Sequence, residues 1–158
     1  MTGVHAASRP RWLVAIRHYL IATAAGNLIW ETAQLPLYTL WRTESFGSIA
    51  SAVLHCSAGD IVIATVALVA ALVTVGNERW PDESMAMVAA AVIAIGLTYT
   101  IGSEYLNTVV RGLWTYSEWM PTVPWIGTGL APLAQWIVIP SLALVWSREA
   151  DFLRKQGR

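Results

Sequence analysis

An all-α fold, a four-transmembrane-helix bundle of a polytopic membrane protein, is what this sequence predicts. Of its 158 residues, 56% are hydrophobic and 13% charged, about half the ~25% charged fraction of a typical soluble domain. The apolar residues fall into four stretches, each close to the ~20 residues that cross a bilayer as a helix. Trp12, Trp41, Trp80, Trp125 and Trp146 fall near the ends of those stretches, where an aromatic belt anchors a membrane protein to the interface.

The expected spans are 18–41, 48–75, 85–106 and 126–146, in a single domain over 1–158. Arg9 and Arg11, the apolar run at 13–16 and the small residues at 22–26 look like a signal peptide. Arg17 and His18 interrupt its apolar core, however, and the helical pattern continues to Trp41, so a retained first helix is expected. Pro36 lies near the end of the first span, and Pro132 and Pro140 in the fourth, where proline favours kinks and neighbouring helices satisfy the freed carbonyls. Gly76-Asn77 and Trp80-Pro81-Asp82 mark a short turn between spans two and three.

Positive charge sets the expected orientation. With four spans, Arg9, Arg11, Arg17, Arg79, Arg148, Arg154, Lys155 and Arg158 share one side, against Arg42 and Arg111 on the other. Both termini are therefore expected in the cytoplasm, with the chain multi-pass in a cell membrane.

Composition excludes several functions. The formal net charge is zero, and no basic patch interleaves with aromatics, so nucleic acid is not an expected partner. Cys56 is the single cysteine and cannot close an intramolecular disulfide. It reads as small packing beside His55. No CxxC or HExxH spacing is present, and no metal or cofactor is expected. Gly127 and Gly129 form a GxG without a preceding strand, so the dinucleotide reading fails.

Three carboxylates, Glu31, Asp60 and Glu104, interrupt the apolar stretches. An ionisable group inside a bilayer costs several kcal/mol unless it faces protein, water or a partner, and so marks a functional site by default. Residues at i, i+4, i+7 and i+11 share a helix face. In span one these positions hold Asn27, Glu31, Gln34 and Tyr38. In span three they hold Thr100, Glu104, Asn107 and Arg111, with Ser103 beside them. Span two adds His55, Cys56 and Asp60 over an arc of about 140°, and span four adds Thr128 and Gln135. By helix rise, Asp60 lies about 18 Å below the start of span two, and the polar groups of all four spans fall in the outer half of the membrane. A shared polar cavity is the expectation. The aromatic stretch 107–125, which includes Trp114 and Tyr116, covers that side as an interfacial segment or a lid.

Each polar residue also has a plainer reading. Buried Asn, Gln and Ser hold membrane helices together at about 0.6 kcal/mol each, so Asn27, Gln34, Ser103, Asn107 and Gln135 are glue or cavity lining. Glu104 has an ion pair with Arg111 open to it, and a hydrogen bond to Tyr38 is a further option for a buried acid. One arginine cannot neutralise three acids, so at least one carboxyl carries a proton at neutral pH. A protonated carboxyl beside an ionised one is the arrangement used for acid/base chemistry. His18 reads as interfacial, and His5 as outside the ordered core.

The run Asn27-Leu28-Ile29-Trp30-Glu31 resembles the NxxWE signature of a class of integral-membrane terpene cyclases. The run Gly112-Leu113-Trp114-Thr115-Tyr116 is similar to the GxWxY element of carotenoid-modifying membrane cyclases and hydratases. Each match spans five residues. Those families have more spans, and their downstream acid motif has no clear counterpart here, Asp60 or Glu104 being the residues available for that part. The resemblance implies an intramembrane acid that protonates an isoprenoid epoxide or alkene.

The expected function is thus a membrane enzyme of cyclase, hydratase, lyase or isomerase type, acting on a hydrophobic, isoprenoid-like small molecule. Glu31 or Glu104 would be the general acid, Asp60 with His55 the proton acceptor. Asn27, Gln34, Ser103, Asn107, Arg111 and Gln135 would bind substrate, and Trp30, Tyr38 and Trp114 would stabilise positive charge by cation–π contact. Proton or divalent-cation handling by the same residues, and an accessory role in a membrane complex, are the alternatives.

Overall fold

The computed structural model describes residues 10–156, with side chains as far as Glu149. His5, Arg9 and Arg158 lie outside the described residues, as do the side chains of Arg154 and Lys155. Four long helices make up the architecture: α1 Arg11–Gln34, α2 Phe46–Val75, α3 Met85–Tyr105 and α4 Leu130–Gln156. Each contains a stretch long and apolar enough to cross a membrane. At 1.5 Å per residue, the 24 residues of α1 and the 30 of α2 reach about 36 and 45 Å, beyond a hydrocarbon core of about 30 Å. Successive helices pack side by side and α4 closes back on α1, so the four form a ring in chain order.

The boundaries differ from the expected ones in instructive places. α1 begins seven residues before position 18, at Arg11, directly after Pro10, because the basic first turn is still helical. It stops at Gln34, where Pro36 directs the chain into a 3-10 turn, Leu35–Leu37; proline supplies no N–H to continue an α-helix. A single helical turn, Leu40–Thr43, leads to α2, whose start is capped by the Ser45 hydroxyl accepting from the Ser48 N–H at 3.2 Å. α3 runs on into a π-helical turn, Leu106–Val110. α4 starts four residues later than position 126, with Pro132 in its first turn, where proline is tolerated, and Pro140 within the helix.

The two ends of the bundle are built differently. At the end that carries the 76–84 turn, Ala64, Ala67 and Ala71 of α2 pack with Val88 and Val92 of α3, Ala15 and Tyr19 of α1, and Ala143 and Leu144 of α4. Small residues at helical spacing let the backbones approach closely. Trp80 joins this core and is buried, so it is not an interfacial residue as its position suggested. Trp12, Trp41, Trp125 and Trp146 are exposed at helix or loop ends. His18 packs edge-on against Trp146, with ring centroids 5.1 Å apart, and ties α1 to α4. Outward-facing Ile29, Leu54, Val62, Val66, Val73 and Leu142 form the apolar surface that suits lipid.

Gly96 marks the tightest approach. A Cβ built there would lie 2.1 Å from the Trp136 ring, and Trp136 is itself buried. Overpacking a filled core costs roughly 1–3 kcal/mol. Gly96→Ala is therefore expected to lower the thermal unfolding midpoint in detergent, whereas Gly102→Ala, where the new methyl meets nothing within 4 Å, should leave it unchanged or raise it.

Candidate functional site: a chamber lined by three carboxyl groups

The other end of the bundle is hollow. A cavity of about 410 Å³ lies there, bordered by all four helices and by the segment after α3. This volume falls within the ~300–1,000 Å³ of small-molecule sites. Its wall includes all three intramembrane acids, Glu31 from α1, Asp60 from α2 and Glu104 from α3. Gln34, Tyr38, His55, Ser103, Asn107, Arg111, Trp114 and Gln135 line it as well. Tyr38 and Arg111 arrive by different means from the straight helical stripe of the sequence, since α1 and α3 have both ended before them. The 3-10 turn and the π-helical turn carry the chain on in the same direction. π-helical turns recur at functional sites because they re-aim a side chain within an otherwise regular helix.

Glu31 and Asp60 meet at a single amide. Gln135, almost fully buried on α4, has its Nε2 at 3.2 Å from Glu31 Oε1, 2.9 Å from Asp60 Oδ2 and 3.1 Å from Asn27 Oδ1. An amide nitrogen has two hydrogens for these three acceptors. Gln34 adds a second donor to Glu31, with Nε2 at 2.8 Å from Oε1, and its own Oε1 accepts from Trp30 Nε1 at 3.2 Å. Because both accept from one Gln135 nitrogen, the two carboxyl groups are neighbours across the α1–α2 contact. Asn27 and Trp30 thus stand behind the chamber wall, not in it: Asn27 below Gln135, and Trp30 bracing Gln34.

Glu104 has a separate partner. The Tyr116 hydroxyl donates to Glu104 Oε2 and accepts from the Gly129 N–H at 3.0 Å. Burial, and after it the adjacent Glu104, push the Tyr116 phenol above the ordinary tyrosine range, so the hydroxyl remains a donor. Trp114 turns its buried Nε1–H toward the same carboxyl without closing a hydrogen bond of normal geometry. The Glu104–Arg111 ion pair considered from sequence does not form, and the phenol bonded to a carboxylate is Tyr116, not Tyr38. Among the described residues no lysine, arginine or histidine pairs with any of the three acids. His55 lines the wall but makes no hydrogen bond to Asp60.

The segment after α3 folds back over this end of the bundle. Tyr116 pairs with Tyr38 as a one-residue antiparallel bridge. The Thr39 N–H donates to the Thr115 carbonyl at 3.0 Å, and the Ser117 N–H to the Leu37 carbonyl at 2.9 Å. Arg42 pairs with Glu118 at 2.8 Å and lies 4.9 Å from the Trp119 ring centre. That guanidinium holds the Glu118 carboxyl below the usual carboxylate range. Residues 122–129 then turn back as a small hairpin with Trp125 fully exposed near its tip. The lid expected from sequence is therefore a fixed cover, held by main-chain bonds to the end of α1, with Leu113 and Trp114 facing the chamber.

Tyr116 is the partner of a chamber acid that sequence reasoning did not single out. It was visible only as one aromatic in an aromatic loop. Thr100, Tyr99, Pro132 and Trp136 also line the cavity. Of these, Thr100 alone shared a periodic stripe with an acid. Among the described residues, no three His, Cys, Asp or Glu side chains converge closely enough to hold a metal ion.

Gln135 is the hub, and its removal leaves buried acceptors without donors, which costs about 1–3 kcal/mol for each group stranded. Gln135→Leu is expected to lower thermal stability more than Ser103→Ala, which removes only the 3.2 Å contact from Asn107 Nδ2. Tyr116→Phe should retain the bundle, because the ring still packs against Tyr38 at 5.6 Å between centroids. It should increase proteolytic nicking within 111–129, since the ties to Glu104 and Gly129 are lost.

No family model, characterised protein or solved structure matches this chain, so the likeness of its two five-residue runs to membrane terpenoid enzymes rests on those residues alone.

Proposed function

We propose that the chain is an integral-membrane enzyme that performs acid/base chemistry on a hydrophobic, isoprenoid-like substrate inside this chamber. The observation that carries the reading is the convergence of Glu31 and Asp60, from different helices, on one amide donor in a cavity that also holds Glu104. Buried carboxyl groups of this kind are expensive to retain unless they are used. Two neighbouring carboxyl groups of which one is protonated would contain a donor and an acceptor from the outset, the requirement for adding a proton at one carbon and removing one at another. The Glu31/Asp60 pair is assigned the proton transfer. Glu104, with Tyr116 as its fixed donor, provides negative charge near the developing cation, and Tyr38 and Trp114 present aromatic faces to the same space. Cyclisation, hydration and double-bond isomerisation all use these parts. With the orientation expected from the positive-inside bias, the chamber would lie in the extracytoplasmic half of the membrane.

Proton or cation handling is the second reading. The same acid pair favours it, and the lack of a convergent metal-ligand group weighs against a divalent ion.

Comparing lipid extracts of membranes that express the chain or its variants tests the proposal. A terpenoid product that accumulates with the wild-type chain should fall by roughly 10²–10⁴-fold with Glu31→Gln or Asp60→Asn, in protein that keeps its helical content. Glu31→Gln, Asp60→Asn and Glu104→Gln all leaving the lipid profile unchanged would overturn the proposal, and stoichiometric metal in the purified protein would favour the second reading.

A further inference from the structure

The chamber has a mouth, and its position follows from which wall residues are exposed. Those contributed by α1 and α4, among them Glu31, Gln34, Pro132 and Gln135, are buried or half-buried. The exposed ones are His55 and Gly59 on α2, Tyr99 on α3, and Arg111 and Leu113 just beyond it. The opening therefore lies between α2 and α3. Its physical origin is the uneven packing of that pair. Alanines hold the two helices together at the 76–84 end, and among the described residues this apolar cluster does not extend between them to the other end. A Cβ added at Gly59 would meet no atom within 4 Å. Gly59 is about 20 Å along α2 from Phe46 at helical rise, well inside the apolar length of the helix and not at its tip. The mouth thus faces sideways, where lipid tails lie, while the fixed cover shuts the end.

The chemistry behind the mouth restricts what passes through it. Beyond Gly59 the wall carries three carboxyl groups with amide and hydroxyl donors, and among the described residues no cationic side chain pairs with them. An anionic group would meet like charge in a low-dielectric space, which costs several kcal/mol. Arg111 is exposed at the outer margin, after the π-helical turn, two helical turns from Glu104. It offers an anion a place at the rim but not in the interior.

We infer that the cleft between α2 and α3 admits a long-chain lipid from the bilayer, with an uncharged hydrogen-bonding end group such as a hydroxyl or carbonyl inserted toward Gln135 and its chain left in the cleft. This inference rests on the proposed function for the identity of the site and names the class of molecule it takes. Its test needs no turnover, so it stands or fails separately from catalysis.

Cys56 is the natural reporter. It is the only cysteine, lines the chamber, and sits one helical turn from Gly59. Its alkylation is followed by mass spectrometry in lipid nanodiscs, with N-cyclohexylmaleimide as the lipid-soluble reagent and a polyethylene-glycol maleimide as the water-soluble, uncharged one. Each rate is taken relative to that reagent's rate with a free thiol. The lipid-soluble reagent should react at least about tenfold faster, and hexadecanol at about ten times its half-saturating level should slow it about tenfold by occupancy. Hexadecyl phosphate at the same level should not. Gly59→Phe should slow the reaction to a similar degree with an unchanged or higher thermal midpoint, since it replaces a helix-interior glycine in open space. Gly59→Ala should react like the wild type. Equal rates for the two reagents, a thermal midpoint that the same level of hexadecanol leaves unchanged, an unaltered rate in folded Gly59→Phe, or equal protection by hexadecyl phosphate would each overturn the inference. The last of these would place an anionic end group at Arg111.

Discussion

The hydrogen bonds of Gln135 decide how this protein can bury acids. Two carboxyl groups on neighbouring helices would repel each other if both were ionised, and each would cost about 2.5–3.5 kcal/mol or more in the hydrocarbon. A single amide from a third helix, placed 2.9 Å from one and 3.2 Å from the other, fixes their separation and supplies the donors they lack. Gln34 above adds a donor to Glu31, and Asn27 below accepts from the same Gln135 amide. Because the participants come from α1, α2 and α4, the network also fixes how those helices sit in relation to each other. It acts as structural glue, the plainer reading of each amide, and the proposed chemistry would use the same groups.

The bundle divides its labour along its length. At one end, alanine and valine give close helix approach and a dry core. At the other, the same helices diverge around a cavity, and the segment after α3 closes the end with main-chain bonds to residues 37–39. A rigid packed half beneath a hollow polar half is a sound design for a preorganised site. The three acids are set on helices, and the helices are held by packing that the chamber itself does not supply. Gly96 against Trp136 lies at the transition between the two regimes.

The two acid clusters differ in how they are held. Glu31 and Asp60 share the Gln135 donor, whereas Glu104 takes a phenol donor from the cover. Tyr116 accepts from Gly129 at the same oxygen, so the cover, the start of α4 and the α3 acid are connected through one hydroxyl. Displacement of Glu104 would therefore be felt by the cover, and through it at the roof of the chamber.

Much of this was set by the chain's one-dimensional pattern. Four apolar runs of spanning length determine four helices, because a bilayer leaves backbone polar groups no other partners than their own helix. Helical periodicity put Glu31 with Gln34, and Glu104 with Asn107, and the rise per residue put all the polar groups at one end of the bundle. What the pattern could not determine was pairing across helices. That depends on the rotation of each helix about its axis, which only packing fixes. Thus Asp60, not His55, met Glu31. Asn27 and Trp30 moved behind the wall, and Trp80 entered the core. Tyr116 reached Glu104 because an irregular segment folded back over α1, and no periodicity describes such a path. The sequence by itself determined which acids fall within the apolar spans and at which end of the bundle they lie. The tertiary structure decided which of them touch, because contact is a property of relative helix orientation and not of spacing along one chain.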